Sequence, residues 1–387
     1  MAAIAITFPA ASAVPSPLYV VYQDQWGFPD STLTEVFAIY ALALLASLLV
    51  FGAISDHVGR RPVLLVAIFF EAVSVLLFLA AGDVNTLAVA RVVQGFATGA
   101  AISTLGAVVV DLQPKHAPKR GGVVTGIAPL AGLALGALGC GLLIQLAPAP
   151  TSLVFVVLLG ALAISAVAVW FSPETSTMRP GARQSLRLRV ALPSRLRKEI
   201  MVIVPILIAG WALGGLYLSL GPSIAGEMLG IDGYLVGGIV VCALCGTGAL
   251  TAFLLREREP EDVLLMAAGF LIFGMLITLT GLNFGILAVA LTGTMVAGIG
   301  FGATALGGFG CLSKMAEPHE RGQVLALGYV IGYLAYSLPA VAGGFAASEF
   351  GLHGTALVYG AAIVVLALLA FWWAGAERRL RRTAAST

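Results

Sequence analysis

Two side chains of opposite charge, Arg91 and Glu71, lie inside long apolar segments of the sequence. A charge in such surroundings is costly unless it has a partner or reaches water. An acid placed there can gain and lose a proton, and a nearby cation influences that exchange. Asp24, near the end of the first apolar segment, is a further candidate partner for Arg91. We therefore predict proton exchange among these groups. The alternatives are structural: Arg91 braces neighbouring helices, and Glu71 is hydrogen-bonded to helix backbone.

A second group of side chains combines aromatic rings with polar atoms, and helix-breaking prolines such as Pro15, Pro17 and Pro222 lie close to several of them. Broken helices that carry aromatic hydroxyl groups suit a cavity for an amphipathic or apolar solute. Taken one at a time, each of these residues could instead anchor the protein at the membrane interface or pack between helices. The candidates for lining the cavity are Tyr19, Tyr22, Gln23, Gln94, Trp211, Tyr217, Tyr329, Tyr333 and Tyr336.

Membrane-spanning helices must position these residues. The sequence is 59% apolar and 10% charged, whereas soluble proteins carry about 25% charged residues. A helix needs about 20 apolar residues to cross a bilayer, and most segments lack the alternation of barrel strands. The sequence therefore predicts an all-α membrane protein with two pseudo-symmetric bundles. Twelve spans are predicted at about 3–23, 34–55, 62–81, 85–110, 121–146, 151–171, 199–222, 233–255, 262–280, 284–311, 322–346 and 353–375.

The loops between the predicted spans alternate in charge. All but one of the 21 Lys and Arg residues lie in one alternating set of loops and the C-terminal tail, and the exception is Arg91. Basic residues remain on the cytoplasmic side of short loops. We therefore predict a multi-pass protein of the cytoplasmic (inner) membrane with both termini in the cytoplasm.

The longest polar segment divides the twelve spans into two groups of six. A faint repeat, Arg120-Gly121 before span 5 and Arg321-Gly322 before span 11, supports two related halves. The basic residues of the dividing segment favour anionic lipid over nucleic acid. We expect a monomer in membrane lipid, with a small-molecule substrate and protons as partners and no nucleic acid. The predicted domains are the bundles 1–172 and 199–376, the basic cytoplasmic linker 173–198 and the cytoplasmic tail 377–387.

The loop between spans 2 and 3 carries the most specific pattern, which reads GAISDHVGRRP from Gly52 onward. It resembles the cytoplasmic signature G-x-x-x-D-R-x-G-R-[RK] of the major facilitator superfamily, with His57 in place of the usual Arg. The resemblance implies a conformational latch in which Asp56 meets the start of span 11 and Arg60 meets Asp111. The alternative is that Arg60 and Arg61 only fix the orientation of the protein in the membrane. The predicted latch residues are Gly52, Asp56, Gly59, Arg60, Arg61 and Asp111.

Two further patterns resemble motifs of the drug/proton antiporter (efflux) branch of this superfamily. Arg91 followed by Gly95 resembles R-x-x-x-G in the fourth helix, where the family ties the Arg to proton coupling. We expect Arg91 to line the central cavity. The glycine-proline motif of the fifth helix is matched only in part, because its contiguous Gly-Pro and Gly-Gly pairs are missing. The matching residues are Gly126, Pro129, Gly132 and Gly136, a face that allows close packing and bending.

Motifs for other chemistry are missing from the sequence. It contains no phosphate-binding loop, G-x-S-x-G or H-E-x-x-H pattern, which argues against ATP-driven transport and hydrolysis. We expect no enzyme activity, metal or cofactor, and a proton gradient as the driving force. The expected function is alternating-access efflux of a small organic or drug-like compound, of the multidrug antiporter kind. The alternatives are proton-coupled uptake of a sugar or metabolite and a non-transporting membrane sensor or assembly factor.

Overall fold

The computed structural model of the chain describes residues 1–113, 120–186, 190, 192–229, 234–317 and 319–385. The regular secondary structure of these residues is helical, which confirms the predicted fold class. Twelve helices are long and apolar enough to cross a membrane, and each overlaps a predicted span. Spans 1 to 12 are Ala2–Trp26, Asp30–Phe51, Arg60–Ala80, Val84–Asp111, Gly121–Leu146, Leu153–Trp170, Ser194–Ser219, Leu235–Leu254, Pro260–Asn283, Leu287–Met315, Arg321–Phe350 and Leu352–Trp373.

Shorter helices lie between the spans or extend them. Ser55–Val58 and Ala182–Ser185 lie in the loops, Gly221–Leu229 follows span 7, and the last helix continues from Leu352 to Ala385. We name the two ends of the bundle by their loops. The basic end is the one where spans 2, 4, 6, 8 and 10 end and the next spans begin, and the opposite end carries the other connections.

Span 1 consists of two helices, Ala2–Ala13 and Pro15–Trp26, joined at Val14. Pro15 has no backbone N–H and cannot donate the helical hydrogen bond to the Ala11 carbonyl. That carbonyl instead accepts a hydrogen bond from the Gln94 side chain, with 3.2 Å between Nε2 and O. The break in span 1 therefore supplies span 4 with a backbone acceptor in the middle of the bundle.

Span 7 has a similar break at Leu220, before the helix that begins at Gly221. Pro222 cannot donate to the Leu218 carbonyl. This carbonyl accepts a hydrogen bond from Ser16 Oγ of span 1, at 2.6 Å. Because Ser16 and Leu218 belong to different groups of six spans, the break in span 7 helps to join the two groups.

Other contacts between the two groups also lie toward the opposite end. The Ser31 N–H of span 2 donates to Ser348 Oγ of span 11 at 3.1 Å, and Gly344 lies directly against Thr34. At the basic end, a cavity of about 390 Å³ separates span 5 from spans 8 to 10. The bundle is therefore closed near the opposite end and open between the groups near the basic end.

Buried apolar side chains form two main clusters. One combines spans 1 to 6 with a few residues of spans 7, 8 and 11, and the other combines spans 7 to 12. The domain limits at 172 and 199 stay a prediction. Residues 187–189 and 191 of the predicted linker, and 386–387 of the predicted tail, lie outside the described residues.

Glycines of span 5 allow it to pack closely on span 1. A Cβ atom at Gly136 would overlap the Ala10 carbonyl, and one at Gly132 would lie 2.5 Å from the Ile6 carbonyl oxygen. Gly139 lies one turn further along the same helix, and a Cβ there would meet nothing within 4 Å. Spans 1 and 5 can therefore keep this separation only while Gly132 and Gly136 lack side chains.

We expect Gly136→Ala to lower the thermal unfolding midpoint of the purified protein, because overpacking typically costs about 1–3 kcal/mol. Gly139→Ala is the matched control and should unfold at the wild-type temperature or slightly above it, since Ala is the better helix former. Scanning fluorimetry of both variants in one detergent measures the difference. Equal midpoints for the two variants would show that the close approach of spans 1 and 5 is not required.

Candidate functional site

Arg91 of span 4 is enclosed by spans 1 to 3, and only 1% of the residue is exposed. Its Nε donates a hydrogen bond to the Tyr19 hydroxyl at 2.7 Å. Its Nη1 donates to the Ser12 carbonyl at 3.0 Å and to Gln94 Oε1 at 2.7 Å. Both Ser12 and Tyr19 lie beside the break in span 1. The broken helix thus provides two of the three acceptors for a fully buried cation.

Aromatic rings complete the surroundings of this guanidinium. Its central carbon lies 5.1 Å from the centre of the Tyr40 ring, 5.3 Å from that of Tyr19 and 5.7 Å from that of Phe78. Aromatic faces attract cations, most strongly when both are shielded from water. Arg91 is therefore held by neutral acceptors and rings inside the first group of spans.

Gln94 connects Arg91 to Glu71. The amide oxygen of Gln94 accepts from Arg91, while its Nε2 donates to Glu71 Oε1 at 3.1 Å. Thr98 Oγ1 donates to Glu71 Oε2 at 3.2 Å, and none of the Glu71 side chain is exposed. A carboxyl group can bind or release a proton here, while Arg91 stays charged. Sequence analysis named all three residues but assigned Gln94 to the cavity lining and not to this connection.

Two expectations about Arg91 are not met in this conformation. Arg91 does not line an open cavity, because the Ser12 carbonyl and aromatic rings of spans 1, 2 and 3 enclose it. Asp24 is exposed at the end of span 1, whereas Arg91 is buried and donates to Tyr19, Ser12 and Gln94. Of the two predicted acidic partners, the structure brings only Glu71 into the hydrogen-bonded chain with Arg91 and Gln94.

A second cluster, which we call the aromatic cluster, lies between the two groups of spans. The Trp211 ring of span 7 lies 4.9 Å from that of Tyr333 and 6.1 Å from that of Tyr336. Phe37 of span 2 lies 4.8 Å from Tyr336 and thereby joins the first group to the second. The members of the aromatic cluster are Phe37, Trp211, Phe309, Tyr329, Tyr333 and Tyr336.

The aromatic cluster adjoins the buried cation through Tyr40. The Tyr40 ring faces Arg91, and Tyr40 belongs to the same cluster of packed, buried side chains as Tyr333 and Tyr336. The hydroxyl groups of Tyr329, Tyr333 and Tyr336 make no hydrogen bonds to other residues that the structure describes. They remain available to a solute between the two groups of spans.

Five of the predicted cavity residues lie outside the aromatic cluster. Tyr19 and Gln94 hydrogen-bond to Arg91, and the other three lie elsewhere. Tyr22 stacks on Trp26 with ring centres 4.6 Å apart. Gln23 Nε2 donates to Asp30 Oδ1 at 2.9 Å, and the Tyr217 hydroxyl is paired with a threonine of span 10. These side chains therefore contribute to packing or to a different pocket, and not to the aromatic cluster.

Arg60, the first residue of span 3, is the centre of an ion-pair cluster at the basic end. Its Nη1 lies 2.6 Å from Asp56 Oδ1, and its Nε lies 3.0 Å from Asp111 Oδ2 at the end of span 4. The structure therefore contains the Arg60–Asp111 contact that the family resemblance implied. This contact ties the loop between spans 2 and 3 to span 4.

Glu174, just after span 6, belongs to the same cluster and was missed by the sequence analysis. Its carboxylate accepts hydrogen bonds from the backbone N–H groups of Arg60 and Arg61, at 2.9 and 3.0 Å, and so caps span 3. Burial opposes its ionisation, but these backbone donors and that of Ser176 outweigh burial and hold the pKa of Glu174 below its usual value. Gly59, with φ of +108°, leaves room for the carboxylate. The sequence offered one signal for this cap, an acidic residue directly after a span. The backbone groups that Glu174 binds become visible only in the folded structure.

Asp56 does not reach the start of span 11 in this conformation. Its carboxylate pairs with Arg60, and half of the side chain is exposed. The start of span 11 is instead bound by Arg195, which forms ion pairs with Glu317 (3.2 Å) and Glu320. The two ends of the polar linker are therefore attached to different groups of spans.

The remaining predicted residues have separate positions. Arg61 lies over the Trp170 ring at 5.1 Å and so packs on span 6. Gly52 follows the end of span 2, and Pro129 lies within span 5. Gly126 lines the cavity at the basic end. The fifth-helix glycines thus divide between that cavity and the contact with span 1.

Solved structures share this architecture. The human organic anion transporter MFSD10 (TETRAN) superposes with a TM-score of 0.66 at 18% identity, over 95% of this chain and 97% of that chain. A bacterial homolog of the human lysosomal transporter Spinster, in an inward-facing and unoccupied conformation, superposes with a TM-score of 0.74 at 13% identity, over 96% and 95%. These likenesses show the fold.

Sequence comparisons show the family. The Efflux pump atB of Aspergillus terreus (strain NIH 2624 / FGSC A1156) is 38% identical over 68 residues, which are 18% of this chain and 14% of that protein. A family model described as Major Facilitator Superfamily matches residues 1–340. Because that match runs through most of the twelve-span bundle, the chain belongs to the Major Facilitator Superfamily.

Proposed function

We propose that the protein exports a small organic compound across the cytoplasmic membrane in exchange for protons, with the basic end facing the cytoplasm. The observation that carries this proposal is the placement of the aromatic cluster. It lies between the two groups of spans and packs in one buried cluster with Tyr40, whose ring faces the chain Arg91–Gln94–Glu71. A solute site and a group able to exchange protons are therefore neighbours.

The aromatic cluster favours a solute with an apolar body and a few polar atoms. Trp211 and Tyr329 are only partly buried, and rings of this kind bind flat apolar surfaces while their hydroxyls donate hydrogen bonds. A cavity lies between the two groups of spans at the basic end. With the basic end in the cytoplasm, as the charge distribution predicts, the solute enters from inside the cell.

Coupling to protons is proposed for Glu71. Its carboxyl group is fully buried and is connected to Arg91 by a single side chain, so a change in its protonation changes the charge balance around the break in span 1. Ser16, just after that break, also binds span 7. Protonation can therefore influence how the two groups of spans contact each other near the opposite end.

Export, in place of uptake, is supported by two resemblances. The fourth-helix pattern from Arg91 to Gly95 resembles that of proton-coupled antiporters, and the similar fungal protein is named an efflux pump. A thermal-shift screen of small organic compounds on the purified protein identifies a ligand. Transport of this ligand in proteoliposomes with an imposed pH gradient then tests direction and coupling. A transport rate that does not depend on the gradient would reject proton exchange.

We expect Asp56→Asn and Arg60→Ala to reduce transport and to shift the protein toward one conformation without preventing membrane insertion. Exposed ion pairs are typically worth about 0.2–1 kcal/mol, so a population shift of about two- to fivefold is expected. Labelling of a Gly126→Cys reporter with an impermeant maleimide measures opening at the basic end.

Arg61→Ala is the matched control for this latch. It removes the adjacent positive charge, but its guanidinium packs on Trp170 and makes no described ion pair, so labelling should stay near the wild-type rate. If Asp56→Asn and Arg60→Ala also leave both labelling and transport unchanged, the ion-pair cluster has no latch role.

We expect Glu71→Gln and Arg91→Ala to abolish gradient-driven transport while equilibrium binding of the screened ligand changes much less. Arg91→Lys should restore part of the transport, because Lys keeps the charge but cannot donate to Tyr19, Ser12 and Gln94 with the same planar geometry. The measurement compares pH-jump transport in proteoliposomes with binding of the same compound.

Glu349→Gln, which neutralises an exposed acid at the end of span 11, is the control for loss of a negative charge. It should transport as wild type does. Normal transport with unchanged pH dependence in Glu71→Gln would remove Glu71 as the proton carrier, and the same result in Arg91→Ala would make Arg91 a purely structural residue.

A further inference from the structure

A pocket separate from the aromatic cluster lies inside the second group of spans, near the opposite end. Spans 7 to 10 and span 12 line it, together with the helix Gly221–Leu229. The lining is apolar except for the hydroxyl groups of Tyr217, Thr278 and Thr294, and it contains no Asp, Glu, Lys, Arg or His. A charged ligand would have no counter-charge there. The pocket therefore suits a neutral molecule.

One of these hydroxyl groups has no hydrogen-bond partner among the described residues. Thr278 is 4% exposed, and its Oγ1 is buried. This oxygen lies near the Tyr217 hydroxyl but outside hydrogen-bond geometry, so no described group satisfies it. Beside it, the Tyr217 hydroxyl lies 2.8 Å from Thr294 Oγ1, a pair in which either oxygen can donate. Buried hydroxyl groups are rarely left unpaired. A ligand oxygen in this pocket would satisfy Thr278.

Comparison with the first group of spans shows how the space arises. Arg91 is the eighth residue of span 4, and Thr294 is the eighth residue of span 10. Each side chain contacts a tyrosine of the first helix in its own group, Tyr19 for Arg91 and Tyr217 for Thr294. Where the first group holds a long guanidinium side chain, the second holds a short hydroxyl. The corresponding volume is therefore left open in the second group.

The size of the opening limits what it can hold. It measures about 40 Å³, whereas about 10–15 Å³ by this measure accommodates one water molecule. The apolar lining disfavours a chain of waters, which would each need two to four polar partners. A short apolar body with a single oxygen matches both the volume and the three clustered hydroxyl groups.

We propose that this pocket is a binding site for a small neutral alcohol, whose oxygen is hydrogen-bonded to Thr278 and whose carbon chain packs among the apolar side chains of spans 9 and 10. An alcohol both donates and accepts, so it can satisfy Thr278 and also reach the Tyr217–Thr294 pair. The site is independent of the aromatic cluster and of proton coupling, and it goes beyond the proposed transport function.

Photolabelling of the full-length protein in nanodiscs tests this site. The probe is methyl-diazirinyl ethanol, and peptide mass spectrometry locates its adducts. We expect adducts on Met275 or Tyr217, which line the pocket, and competition by n-pentanol but not by n-hexane, which replaces the hydroxyl group with a methyl group. Thr278→Val should lower the pocket adduct about two- to tenfold, the range that the loss of one neutral hydrogen bond produces.

Thr280→Val is the matched control, because Thr280 lies on the same helix but is exposed and donates to the Leu276 carbonyl. Its labelling should equal that of the wild type. Ala356→Leu, which adds carbon atoms to the pocket wall, should remove the pocket adduct while lipid-facing adducts remain. Equal pocket labelling in Thr278→Val, equal competition by n-pentanol and n-hexane, or adducts confined to lipid-facing residues would each overturn the proposal.

Discussion

The buried guanidinium of Arg91 needs hydrogen-bond acceptors in the middle of the bundle, and a broken helix supplies them. Pro15 frees the Ala11 carbonyl, which accepts from Gln94, and Gln94 in turn accepts from Arg91. Ser12 and Tyr19, on either side of the break, take the other guanidinium hydrogen bonds. An unbroken span 1 would leave fewer acceptors, and a cation without them is strongly disfavoured inside a membrane. The buried charge in span 4 therefore depends on the proline break in span 1 for its hydrogen-bonded surroundings.

The same break also connects the two groups of spans. Ser16, immediately after Pro15, donates to the Leu218 carbonyl that Pro222 leaves free in span 7. The short segment from Ala11 to Tyr19 thus binds the polar chain on one side and the second group on the other. Under the proposed function, this shared segment explains how a proton at Glu71 could alter contacts near the opposite end, some distance from the ion-pair cluster around Arg60.

Sequence reasoning predicted the elements well because length and apolar composition decide which segments cross a membrane. It also identified Arg91, Glu71 and the Arg60–Asp111 contact, since charges in apolar surroundings and a specific loop pattern are visible along the chain. It did not identify Glu174 as the cap of span 3, because that contact joins positions far apart in sequence. It placed Arg91 on an open cavity for a related reason: the Ser12 carbonyl and the Tyr19 hydroxyl that accept from Arg91 are far from it in sequence.

The two groups of spans have similar helix arrangements but carry different side chains at corresponding positions. At the basic end, Arg60 at the start of span 3 pairs with Asp111 at the end of span 4, whereas Glu259 before span 9 pairs with Lys314 near the end of span 10, with the charges exchanged. In the middle of the bundle, Arg91 corresponds to the neutral Thr294. The second group can therefore offer apolar and hydroxyl-bearing surfaces, while the first holds the buried charges. Under the proposed function, this difference places solute binding and proton exchange on different side chains of one bundle, and the hydrogen bond between the broken helices of spans 1 and 7 connects the two groups.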